Sequence, residues 1–100
     1  MKKKVVKDVE RAHAFFSGRV QGVGFRYTAE GIALELGLVG WVKNTRDGRV
    51  ELVCEGTKQD IERLFLRIQS SLLGPHIKKT VVDWEKATCE FSDFKVEFDL

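Results

Sequence analysis

The sequence predicts an α+β sandwich in which two helices cover one face of an antiparallel sheet. Three observations carry that reading. Apolar and polar residues alternate over segments 12–17, 39–44, 49–55 and 78–85, as in half-buried strands. Between them lie two stretches, Phe25 to Leu36 and Ile61 to Leu72, whose apolar residues recur at helical spacing. Turn and cap signals at Gly37, at Arg46-Asp47-Gly48 and at Gly74-Pro75 punctuate the series. The order is β-α-β-β-α-β plus a short terminal strand, the plan of a ferredoxin-like α/β sandwich.

In chain order, residues 1–11 open with Lys2, Lys3 and Lys4 and read as a charged, solvated tail, leaving residues 12–100 as one domain. The first strand sets Ala12, Ala14 and Phe16 on one side and His13, Phe15 and Ser17 on the other, so His13 is expected on a sheet face away from any loop. Phe25, Ala29, Ile32, Ala33 and Leu36 form the first helix stripe, ended by Gly37. The second strand runs over 39–44. The Asp47-Gly48 turn leads to the third, with Val50, Leu52 and Cys54 on the core side and Glu51, Val53 and Glu55 on the outer side. Thr57 is placed to cap the second helix, Asp60 standing three residues on. Ile61, Leu64, Phe65, Ile68 and Leu72 form its stripe, and Gly74-Pro75 is expected to end it. The fourth strand, 78–85, groups Thr80, Val82 and Trp84, with Trp84 read as a packing residue. Residues 87–93 form a loop before the alternation of Phe94, Val96 and Phe98.

A chain of 100 residues can bury one core without metal or disulfide staples. The net charge of +2 gives no expectation of nucleic-acid binding, yet does not repel a small anion. With no apolar run of membrane-spanning length and no secretory leader pattern, a cytoplasmic monomer is expected. Cys54 and Cys89 lack a metal-ligand spacing; free thiols are favoured, with a bridge left open. No metal or cofactor is expected.

The chemistry gathers in Gly18 to Arg26, which reads GRVQGVGFR. A strand-to-helix loop with three glycines can turn successive main-chain N–H groups inward, and the helix dipole adds partial positive charge there. Arg26 brings a planar fork of donors that suits a phosphate or carboxylate. The letters exclude a Walker A loop, since Phe25 and Arg26 follow Gly24 where lysine and a hydroxyl residue are needed. A dinucleotide fingerprint fails at Tyr27, which stands where its third glycine belongs. The spacing alone leaves two readings open: an anion cradle, or a Gly-rich turn whose arginine pairs locally. Topology adds a neighbour. A strand–helix–strand crossover brings the C-terminal ends of the first two strands to one sheet edge, so Asn44 should lie beside the loop on the helix side, in parity with Val42. The alternative for Asn44, a strand-end residue that caps local backbone, is left open by spacing alone.

GRVQGVGFR, followed by GWVKN at 40–44, resembles the signature pair of the acylphosphatases, and the likeness continues through GRVE at 48–51, Glu55-Gly56 and FSDFKV at 91–96. The resemblance implies hydrolysis of the carboxyl–phosphate bond of acyl phosphates without a metal. It implies that Arg26 binds the phosphoryl group and Asn44 positions the attacking water. Main-chain donors from Arg19, Val20, Gln21, Gly22, Val23, Gly24 and Phe25 would hold the phosphoryl oxygens, and inorganic phosphate would be product and inhibitor. Lys43 would point away, and Thr45 would brace Asn44. The rival readings are a non-catalytic binding module for RNA or a protein, and a module like that which begins the hydrogenase-maturation carbamoyltransferases. The acidic outer face of the third strand argues against RNA.

Overall fold

The computed structural model describes residues 8–98, so most of the expected N-terminal tail, residues 1–7, lies outside the described residues. Strand β1 spans Glu10–Gly18, helix α1 Phe25–Glu35, β2 Val39–Asn44, β3 Val50–Gly56, helix α2 Lys58–Ser70, β4 Ile77–Lys86 and β5 Phe94–Val96, with one 3-10 turn at Gly74–His76 before β4. The order across the five-stranded sheet is β4-β1-β3-β2-β5. Strand β1 starts before Ala12: Glu10 and Arg11 already pair with Gly56 and Glu55.

Alternation places the core as the sequence suggests. Ala12, Ala14 and Phe16 of β1, Val42 of β2, and Val50, Leu52 and Cys54 of β3 are buried beneath Phe25, Ala29, Ile32 and Ala33 of α1 and Ile61, Leu64 and Ile68 of α2. Phe16 links the layers, its ring 4.8 Å from that of Phe25 and 6.0 Å from that of Phe65. Burial of side chains this large is worth about 1.5–3 kcal/mol each. Cys54 is a core residue whose thiol is pushed up to about 12 by burial, and both cysteines are free. Thr57 caps α2 by accepting from the Asp60 amide at 3.2 Å. At the other end of α1, Gly37 (φ 72) lets the Leu38 amide reach back to the Ala33 carbonyl at 2.9 Å.

Four differences from the sequence reading have local causes. Helix α2 stops at Ser70, because the Ser71 and Leu73 region turns back on itself through the Ser71 hydroxyl. Leu72 is therefore 92% exposed and Leu73 takes the buried place. The sheet is antiparallel except at its rim, where β5 runs parallel to β2, a chain direction set by the return from β4 through residues 87–93. Trp84 lies 41% exposed on the outermost strand, under the Lys58 ammonium at 5.5 Å. Glu55, on the outer face as expected, is only 1% exposed.

Residues 87–93 cover that carboxylate. Its Oε2 accepts from Arg11 Nε at 2.8 Å and from the Thr88 amide at 2.9 Å, and its Oε1 accepts from the Cys89 amide at 3.0 Å. Burial raises its pKa, but the donors outweigh burial and hold the carboxyl below the ordinary carboxylate range. Among the described residues, no helix is long and apolar enough to cross a membrane.

Two outcomes follow for stability. A Cβ on Gly40 (φ 139) would stand 2.0 Å from the Val53 carbonyl oxygen, so Gly40→Ala should cost about 2 kcal/mol or more and lower Tm by roughly 10 °C in a thermal melt. Because the Glu55 pKa is depressed in the fold, its contribution is complete above about pH 5 and is lost as pH falls through the folded value. Glu55→Gln should therefore remove about 1–3 kcal/mol at pH 7 and flatten the acid side of a denaturation-versus-pH curve.

Candidate active site

Strand β3 sets the site by pairing antiparallel with both β1 and β2, which makes those two strands parallel to each other. Phe16, Val50 and Asn44 form one row across the sheet, so the strand ends that carry Gly18 and Asn44 share an edge. Val50 and Val42 on that face are buried under the helices, and Asn44, in parity with Val42, points to the same side. Its Oδ1 is buried, and no group of the described residues donates to it. Asn44 also borders a cleft of about 240 Å3 with Lys43, Thr45, Arg46 and Glu51.

The loop between β1 and α1 is held by its two ends, by buried Val20 and by the Gln21 side chain, which donates to the Thr45 and Arg49 carbonyls. The Arg19 amide donates to the His76 carbonyl at 2.9 Å, Val20 is buried in the core, and Phe25 packs on Phe16. Gly22 and Gly24 hold φ values of 78 and 82, the left-handed region, and Gly24 caps α1 without any side-chain hydrogen bond. The first helical bond runs from the Thr28 amide to the Gly24 carbonyl at 3.1 Å. Among the described residues, no group outside the loop and α1 takes a hydrogen bond from a main-chain amide between Val20 and Tyr27. The first turn of α1 carries no acidic residue, so nothing there competes for the dipole's positive end.

Arg26 sits in that first turn. Its guanidinium lies 5.2 Å from the Phe98 ring and 5.9 Å from the Tyr27 ring, and no carboxylate of the described residues pairs with it. Among the described residues, the alternative of an arginine paired with a local carboxylate is not realised. Phe98 also locates the guanidinium. The parallel register of Gly40 with Phe94 and Val42 with Val96 is followed by the Glu97 amide on the Val42 carbonyl at 2.8 Å, so the chain that carries Phe98 runs toward the Asn44 end of β2. The start of α1, with Arg26, and the end of β2, with Asn44, thus lie toward one edge of the sheet.

Three further placements stand against the sequence. Lys43 turns to the opposite face and lies 5.2 Å from the Trp41 ring, as expected. Thr45 does not reach the Asn44 side chain; its hydroxyl serves the β2–β3 turn, bonding Asp47 and the Arg49 carbonyl and accepting from the Arg49 amide. Those contacts with Arg49 and Thr45 hold the Asp47 carboxyl down at about 2. His13 is on the open sheet face, 2.6 Å from Glu51 Oε2 and 3.4 Å from Glu85 Oε2, away from this edge. Sequence reasoning missed two contributors: the Phe98 ring beside Arg26, and the Gln21 side chain, whose Nε2 donates at 2.8 Å to both the Thr45 and Arg49 carbonyls. The Gln21 signal lay within the motif, but its partners are 24 and 28 residues away. No three His, Cys, Asp or Glu side chains of the described residues form a metal-ligand group.

Comparison with known proteins agrees with this fold. The family described as Acylphosphatase matches residues 12–96. A curated acylphosphatase of Roseiflexus sp. (strain RS-1) is 43% identical over 89 residues, spanning 89% of this chain and 96% of the relative. The crystal structure of acylphosphatase from Bacillus subtilis superposes with a TM-score of 0.82 at 30% identity, covering 88% of this chain and 98% of that one. An acylphosphatase from Coxiella burnetii gives 0.72 at 38% identity over 90% and 94%.

An orphaned buried oxygen weakens a fold. Asn44→Ala should leave Tm unchanged or raise it by a few degrees, since removing an unsatisfied buried acceptor relieves about 1–3 kcal/mol that offsets the lost packing. A clear fall in Tm on calorimetry would show that the carboxamide is bonded within the protein.

Proposed function

Since the chain belongs to the acylphosphatase family, we propose that it hydrolyses acyl phosphates to a carboxylate and inorganic phosphate with Arg26, Asn44 and the loop amides as its whole catalytic apparatus. The observation that carries this reading is the coincidence, toward one edge of the sheet, of three kinds of group. They are the main-chain amides from Val20 to Tyr27, which reach no acceptor outside the loop and helix among the described residues, the Arg26 guanidinium, which no carboxylate of the described residues pairs, and the buried Asn44 Oδ1. Donors in excess suit an anion, and a lone buried acceptor suits a molecule that brings its own hydrogen.

Each group then has a task. The amides of Arg19, Val20, Gln21, Gly22, Val23, Gly24 and Phe25 are the candidates to hold the phosphoryl oxygens; the Arg19 amide is already engaged with His76, so its part is the least direct. Arg26 matches two oxygens with its fork, and the aromatic rings beside it hold the guanidinium plane in place. Asn44 Oδ1 accepts an O–H bond from water and aims its oxygen at phosphorus.

Water attacks phosphorus, the P–O bond to the acyl group breaks, and the bonding pair leaves with the carboxylate. The conjugate acid of that leaving group has a pKa of roughly 4, so no general acid is needed at neutral pH. Neutral Asn44 removes no proton; the water's proton passes to a phosphoryl oxygen. In the loose transition state, charge spreads over the equatorial oxygens, where fixed donors stabilise it. Charge-assisted hydrogen bonds contribute about 1.5–3 kcal/mol each, so a ring of them accounts for a large rate effect without a metal ion. Every group named comes from one chain, in keeping with a monomeric enzyme.

Benzoyl phosphate in chelator-treated buffer is the test, with inorganic phosphate expected as a competitive inhibitor. Arg26→Lys should lower kcat by about 100-fold or more, because a point charge does not replace two fixed donors. Near-normal turnover in that variant, or a requirement for added metal, would refute the assignment. Asn44→Ala should reduce kcat far more than phosphate affinity.

A further inference from the structure

The proposed phosphate loop and the strand end carrying Asn44 are distant in sequence, and one side chain bolts them together. Gln21 Nε2 donates both its hydrogens, one to the Thr45 carbonyl and one to the Arg49 carbonyl, each at 2.8 Å. Thr45 directly follows Asn44. Its place is fixed in turn by its amide on the Arg49 carbonyl at 2.8 Å and by its hydroxyl on the turn. Gln21 thus grips a rigid clasp rather than a loose hairpin. On its own side it stands between buried Val20 and Gly22 (φ 78), inside the run of amides that reach no acceptor outside the loop and α1 among the described residues. Among the described residues, no other side-chain hydrogen bond ties residues 20–25 to that hairpin.

We infer that Gln21 is a positioning residue for the hydrolysis: its carboxamide fixes the spacing between the phosphoryl cradle and the water held by Asn44. The inference rests on the assignment of Asn44 above. The physical demand is tight. Reacting atoms must lie about 3–3.5 Å apart and in line, and a displacement near 1 Å costs on the order of 100-fold. The cradle itself is local, made of contiguous amides and Arg26, so it should still bind phosphate without the bolt. What loosens is the relation between the cradle and Asn44.

The test uses Gln21→Met, which keeps length and volume but has no donors, and Gln21→Ala. With benzoyl phosphate, both should lower kcat by about tenfold or more while the inhibition constant of inorganic phosphate stays within about twofold. In the Asn44→Ala background the same changes should alter kcat by less than about twofold, since there is no longer an oriented water to misplace. Wild-type kcat in folded Gln21→Met would overturn the inference. So would a loss of phosphate affinity in step with kcat, or equal losses in both backgrounds, because a merely structural residue acts independently of Asn44. Wild-type kcat in Asn44→Ala alone would instead overturn the role of Asn44, a separate failure.

Discussion

The register of β3 between β1 and β2 is the constraint from which the rest follows. By pairing antiparallel with both, this central strand forces its neighbours to run the same way and end at one edge. The row Phe16, Val50, Asn44 then puts an aromatic anchor for α1, a core valine and a polar carboxamide side by side. A slip of one residue would turn Asn44 to the open face and bury Lys43 in its place. Alternation of buried Val50, Leu52 and Cys54 makes that slip costly, so the hydrophobic core fixes the register and the register fixes the site.

A second consequence concerns where polar groups go unsatisfied. Nearly every buried main-chain or side-chain polar group in a folded protein finds a partner. Among the described residues the one buried side-chain exception, Asn44 Oδ1, stands at the sheet edge where α1 begins with an αL glycine cap and no acidic neighbour. On the other face the buried Glu55 carboxylate accepts from Arg11, Thr88 and Cys89. A saturated carboxylate on one face thus contrasts with an orphaned carboxamide on the other.

Much of this was legible in the sequence, for identifiable reasons. Period-two alternation located the core faces of β1 and β3, and the crossover rule placed Asn44 beside the loop. The Thr57 cap and the Gly37 stop were readable because caps act within one turn. What was not legible depended on distant partners. Leu72 and Leu73 exchange roles because Ser71 turns the chain back. Glu55 looks like a solvent-facing carboxylate until residues 87–93 fold over it. Phe98 is an unremarkable alternating aromatic until β5 proves parallel to β2 and brings it next to Arg26.

The outer rim formed by β4 carries a different implication. Among the described residues this long strand has β1 as its single neighbour, so its far side presents a row of main-chain groups to water. Such a margin invites another chain to add itself to the sheet. Lys78, Lys79, Asp83, Glu85 and Lys86 line it with charge of both signs, and like rims meeting in register would have to desolvate all of them. The crowd of charges there serves solubility rather than chemistry, keeping one copy's sheet from growing onto the next.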